Sequence, residues 1–133
     1  MSAETAMRRG QRAAEALMVD ECEITAAGEG PPQWDDAEGI YVPPARAVVY
    51  RGPCKVQRTA LEPRDVEVGE RVAGVEVVRV NVPLGVLGVR VDHRIEITAA
   101  VYDPDLVRLR MRVESVGTKT WATARRLRCV EET

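Results

Sequence analysis

Few side chains in this sequence are of a type that does chemistry, and their spacing limits what they can assemble. His93 is the single histidine, so neither a histidine-based metal cluster nor an acid–base pair of imidazoles can form. No nucleophile motif accompanies it, and a catalytic triad is not indicated. Between Asp92 and Arg94 at a predicted strand start, its expected role is a solvated or hydrogen-bonded one. Cys22, Cys54 and Cys129 stand far apart without CxxC spacing, which fits free thiols in a reducing compartment better than a disulfide framework. Each falls in a predicted strand beside apolar neighbours, where a thiol behaves as a small hydrophobe. Asp35, Asp36 and Glu38 could offer oxygens to calcium, but the DxDxDG spacing that wraps the ion is missing. The glycines of "PLGVLG" lack the GK[ST] and the helix start of a phosphate cradle. The expectation is no enzyme activity, no catalytic residue, no metal and no cofactor.

Arginine is the exception. Arg8, Arg9 and Arg12 form a stripe on a predicted helix, while Arg108, Arg110, Arg112, Arg126 and Arg128 share the predicted outer face of one hairpin. Three readings stay open: a solvated face, a guanidinium array that pairs with carboxylates of a neighbouring subunit or partner ring, and phosphate contact. The formal charge of −2 weakens the third, because wrapping DNA needs a positive excess.

The elements that must position these groups follow from periodicity. Ser2 is an N-cap candidate for a helix to about Met18, with Ala3, Ala6, Met7, Gly10, Ala13, Ala14, Leu17 and Met18 on one arc. This face of small residues needs a partner surface, either the chain's own barrel or the next subunit. Alternation then predicts strands at 20–25, with Cys22 and Ile24 inward, at 47–58, at 72–82 with Val78, Val80 and Val82 inward, and at 92–100 with Ile95 and Ile97 inward. Val107, Leu109, Met111 and Val113 give the clearest period of two, and a turn at Gly117-Thr118 leads to a last strand with Trp121, Leu127 and Cys129 inward. Residues 27–45 hold too many Gly and Pro for a continuous element, although 39–42 could form a short strand. Residues 61–70 read as an acidic surface loop. Long loops without structure of their own are usually functional or disordered. Either loop is thus a candidate to reach a neighbour, through Trp34, Asp35 and Asp36 in the first or Glu62, Asp65, Glu67 and Glu70 in the second.

Composition agrees with one soluble domain. A chain of 133 residues buries about two-thirds of its surface on folding, with 45% hydrophobic and 30% charged residues. No apolar run is long enough to span a bilayer, and charges interrupt the N-terminal stretch where a secretory signal would need an apolar core. Phe is absent and valine abundant, which leans toward β structure. The expected fold is all-β: a helix at 1–18, then at 19–133 a small barrel of about six or seven strands.

The order of these segments carries a resemblance. A capped Ala/Arg helix followed by "DECEIT", "YRGPCKVQ", "VVRVNVP", "IEITAAVYDPDL" and "RVESVGTKTWATARRLRCVE" resembles the head-to-tail connector proteins of actinobacterial siphophages, head-completion proteins related in fold to the stopper rings below the portal. The likeness spans nearly the whole chain, without a chemically specific motif. It departs at "PLGVLGVRVDH", where similar proteins have a short acidic or Gly turn. The resemblance implies a β-barrel subunit of a virion neck ring, assembled in the bacterial host cytoplasm, that docks on portal or adaptor proteins and meets a tail terminator protein. Such a homo-oligomeric ring, a hexamer or alternatively a dodecamer, closes by a heterologous interface. It lets double-stranded DNA pass without specific binding, helps retain the packaged genome and has no membrane partner. An adaptor or tail-completion ring subunit is the neighbouring alternative. From other classes come a small nucleic-acid-binding barrel, which would want clustered exposed aromatics where the sequence has five scattered ones, and a small hydrolase, disfavoured by the missing nucleophile motif.

Overall fold

The computed structural model describes residues 2–58, 62–68, 71–75 and 77–132. The helix starts where its cap predicts: Ser2 Oγ accepts the Thr5 N–H at 3.2 Å, satisfying a first-turn donor that has no partner within the helix. α1 then spans Ala3–Ala16. Ten strands follow among the described residues: β1 Asp20–Ala26, β2 Gln33–Asp35, β3 Ile40–Val42, β4 Ala47–Arg58, β5 Glu62–Val68, β6 Arg71–Val75, β7 Val78–Val82, β8 Arg94–Ala99, β9 Arg110–Val116 and β10 Arg125–Glu131, with a 3₁₀ turn Pro104–Leu106 between β8 and β9.

Six strands close a barrel in the order β1-β4-β7-β10-β9-β8, antiparallel at every ladder. Closure pairs both sides of each strand and leaves no sheet edge to recruit another chain. Register shifts at Glu21/Cys22, Ile24/Thr25 and Arg128/Cys129 supply the local bends that closure requires. The alternation read from sequence decides which side chains point in: Cys22, Ile24, Val78, Val80, Val82, Ile95, Ile97, Met111, Val113, Leu127 and Cys129 are all essentially inaccessible. Full burial of one such aliphatic side chain is worth about 1.5–3 kcal/mol. The predicted small all-β barrel with one N-terminal helix is the fold observed.

Both barrel mouths are closed by loops that meet β8. Residues 83–93 lead into its first residue and lay Val86 and Val89 on the core, while the 3₁₀ turn beyond its last residue contributes Leu106. At that second mouth Asp20 is buried and its Oδ1 accepts the Val101 N–H at 3.1 Å, tying the start of β1 to the segment after β8.

Four expectations need correction. Residues 61–70 are not a loop: Glu62–Val68 and Arg71–Val75 pair as an antiparallel hairpin, because alternating Val66 and Val68 with charged residues is a strand pattern that the acidic bias obscured. Residues 72–82 are two strands, β6 and β7, belonging to different sheets. Trp121 does not point inward. It is exposed in the 117–124 turn with φ +61°, and Ala122 and Ala124 are the buried residues there. Finally, the period of two before β9 begins at Leu109, since Arg108 adopts φ +72° and its N–H bonds Ile97 O at 2.8 Å.

Candidate functional site

The three thiols lie inside the barrel and are free. The hydrogen bond to Cys22 and then burial push the Cys54 thiol far above its ordinary range. Burial, helped by the Glu114 carboxylate, pushes Cys129 up to about 12. Neither forms a thiolate at neutral pH, so both act as packing residues. Tyr50 lies against the same core with its hydroxyl donating to Pro53 O at 2.7 Å; burial first, and the neighbouring acidic groups second, raise it to about 12. His93 Nδ1 accepts the Arg90 N–H at 3.1 Å. Burial and the nearby cations Arg46 and Arg90 lower its pKa, so the imidazole is neutral and serves the turn before β8. Among the described residues no group of His, Cys, Asp and Glu could hold a metal ion.

The barrel surface carries a recess of about 460 Å³ lined by Glu23, Arg46, Arg94, Glu96, Arg110 and Glu132, with Thr25, Val48 and Ile95. Its charges are mixed and partly spent. Arg94 Nε lies 3.3 Å from Glu132 Oε2, and Arg46 donates to Thr25 Oγ1 at 2.9 Å and to Thr25 O at 3.1 Å. The recess is lined by no histidine or cysteine and offers no single-sign field to a charged substrate.

The predicted arginine array is likewise divided. Arg112 reaches Asp92 at 3.1 Å and Glu132 at 3.6 Å, Arg128 lies 3.7 Å from Glu114, and Arg126 lies 3.5 Å from Thr123 Oγ1. Arg108, in its left-handed turn, falls out of line with Arg110. On α1, Arg8 pairs with Glu4 at 2.7 Å, whereas Arg9 and Arg12 are exposed without a carboxylate partner among the described residues. Among the described residues, arginines without a carboxylate partner therefore stand on both elements, Arg9 and Arg12 on the helix and Arg108, Arg110 and Arg126 on the hairpin. Of the acidic candidates, Glu62, Asp65 and Glu67 lie in β5, and Glu70 lies outside the described residues.

Besides the β5–β6 hairpin, two elements stand apart from the barrel. α1 has no buried residue. It approaches the body closely at Gly10, where a Cβ would come 2.9 Å from Thr123 Cγ2, and turns Arg9, Arg12, Ala13, Ala16 and Leu17 outward. The other is the β2–β3 hairpin, which pairs with no other strand. Asp35 shapes its turn: Oδ1 accepts the Ala37 N–H at 2.9 Å, and Asp35 O accepts the Gly39 N–H at 2.8 Å, with Gly39 at φ +67°. The register sets Trp34 opposite Tyr41, and their rings meet edge to face at 5.0 Å. Sequence reading had the aromatics scattered; strand pairing brings these two together. Both are more than half exposed, as is Ile40.

A second apolar patch surrounds the Asp20 mouth, where Leu17, Val19, Val101 and Tyr102 are exposed. It escaped sequence reading because its members come from two segments distant in sequence, brought together by the β1–β8 ladder and the Asp20–Val101 bond. No helix among the described residues is long and apolar enough to cross a membrane.

No curated protein and no solved structure matches the chain. A family model does match residues 10–130, and the chain belongs to that family, a family of unknown function (DUF6093).

Proposed function

We propose that the protein is a structural subunit of a phage neck, a head-to-tail connector ring of the stopper or head-closure type that joins the portal or adaptor to the tail and helps retain packaged DNA. The observation that carries this reading is the division of the molecule. The barrel is closed and filled with apolar side chains, and the recess on its surface carries mixed, partly paired charges, while α1 and the β2–β3 hairpin stand outside it with exposed apolar and charged faces. Such a molecule is equipped for assembly more than for turnover. The resemblance described above supplies the specific context: a ring, hexameric or alternatively dodecameric, with portal or adaptor and tail terminator as neighbours and DNA passing through. Interleaved surface charge suits that passage, because a strongly basic lining would hold the duplex.

The Trp34–Tyr41 pair lends an observation to the second reading, a nucleic-acid-binding barrel, since exposed rings can stack bases. Asp35, Asp36 and Glu38 beside it would repel phosphates, which favours the connector. The decisive experiment is deletion of the gene from the phage genome that carries it, with particles viewed by electron microscopy. The expected outcome is tailless capsids that have lost their DNA. Tailed, DNA-filled particles at wild-type frequency would overturn the reading.

A further inference from the structure

Of the elements outside the barrel, α1 and the β2–β3 hairpin sit at opposite ends of one strand. α1 delivers the chain to Asp20, the first residue of β1, and the β2–β3 hairpin leaves beyond Ala26, its last, where Ala26 pairs with Ala47. Seven residues of strand separate them by about 20 Å. Each is poorly supported within the chain: an isolated two-stranded hairpin is marginally stable at best, and so is a helix of this length without a packed face.

The two surfaces are complementary. The hairpin is apolar on both faces, Trp34 and Tyr41 on one, Ile40 and Val42 on the other, and its turn is acidic with Asp35, Asp36 and Glu38. The exposed face of α1 is basic, with Arg9 and Arg12 lacking a carboxylate partner among the described residues, and flat where Ala13 and Ala16 stand. It runs into the Leu17, Val19, Val101 and Tyr102 patch. A protruding apolar hairpin with a negative tip thus matches a flat apolar surface with a positive rim, and both are on the same chain.

We infer that the partner of the β2–β3 hairpin is a second copy of this protein, and that the hairpin docks on the outward face of α1 and the Asp20 mouth of that copy, head to tail. This names the surfaces by which the proposed ring closes and rests on that reading for closure. Because different surfaces meet, the contact repeats from copy to copy and closes into a ring if the rotation allows.

The test uses the purified full chain. Glu38→Cys and Arg12→Cys place one accessible thiol on each surface; the native cysteines are buried and stay silent. With a short bismaleimide, the mixture of the two variants should cross-link, neither variant alone should, and sedimentation should show species larger than a dimer. Charge reversal gives an independent measure. Glu38→Arg or Arg12→Glu alone should weaken self-association by about two- to five-fold, as one partly exposed ion pair would, and mixing the two should restore it. Self-cross-linking of Glu38→Cys, absence of any mixed product, or sedimentation of the unmodified chain as nothing larger than a dimer would each overturn the head-to-tail contact. None of these would touch the connector reading, which stands or falls on the phenotype of the gene deletion.

Discussion

Replacing Gly10 by alanine sets two effects of similar size against each other, and the sign of the result reports where α1 lies. Glycine within a helix costs about 1 kcal/mol relative to alanine, so on a free helix Gly10→Ala would stabilise by that amount. In the structure the new Cβ would stand 2.9 Å from Thr123 Cγ2, well inside the 3.5–4.0 Å at which two carbons are in contact, roughly. Relieving that overlap costs about 1–3 kcal/mol. The expected net effect is destabilisation by about 1 kcal/mol, a fall of about 3–5 °C in Tm for a chain of this size. Thr123→Ser removes the offending methyl and keeps the hydroxyl near Arg126. On that background Gly10→Ala should become stabilising by about 1 kcal/mol, giving a coupling of about 2 kcal/mol in a double-mutant cycle read by urea unfolding. Stabilisation by Gly10→Ala alone, with no coupling, would show that α1 does not rest on the 117–124 turn and that its outward face is not the one described.

Two further outcomes follow from the core. Gly52→Ala would bring a Cβ 2.9 Å from Tyr50 Oη and 3.2 Å from Cζ, displacing the ring and breaking its hydrogen bond to Pro53 O. A loss of about 1–3 kcal/mol is expected, against about 1 kcal/mol for Tyr50→Phe, which loses the bond alone; wild-type stability of Gly52→Ala in urea would refute the packing. Stability should also fall at alkaline pH. Burial raises Cys129 and Tyr50 to about 12 from ordinary values of 9.0 and 10.0, so their contribution is complete below pH 9 and is lost as pH rises toward 12, because the unfolded chain releases these protons first. Cys129→Ala should flatten that slope, and an unchanged slope between pH 9 and 11 would show that the thiol is not the source.

What was legible in the sequence was what the chain buries in itself. Cys22 and Ile24, Val78 to Val82, Ile95 and Ile97, and Met111 and Val113 announce their strands because one barrel face is dry and the other wet, and a period of two records that difference. The Ser2 cap was legible for the same local reason. Position along the strand was harder. Nothing in the alternation of 72–82 marks where β6 leaves one sheet and β7 enters another, and charged residues in β5 hid a hairpin that pairs outside the barrel. The apolar side chains of the functional surfaces were the least legible. Trp34 and Tyr41 lie in three-residue strands, too short for periodicity, and the segments of Val19 and Tyr102 meet only once β1 pairs with β8 and Asp20 bonds Val101.

That blindness has a physical cause that bears on function. Periodicity in a sequence reports burial against partners in the same chain, whereas an interface completed by another molecule leaves its apolar residues among Gly, Pro and acidic neighbours that read as loop. Val78 and Ile95 hold the barrel whether or not the chain has company. Trp34, Tyr41 and Leu17 contribute little to the isolated fold, yet each aromatic offers about 150–250 Å² for burial, and the elements that carry them stand outside the barrel sheet. In the proposed contact these deficits cancel. The hairpin gains a packed face, the helix gains the cover its alanines fit, and Arg9 and Arg12 meet carboxylates that the described residues of their own chain do not supply. Stability of α1 and of the hairpin should therefore rise together with self-association, as increased amide protection at both elements and not in the barrel strands.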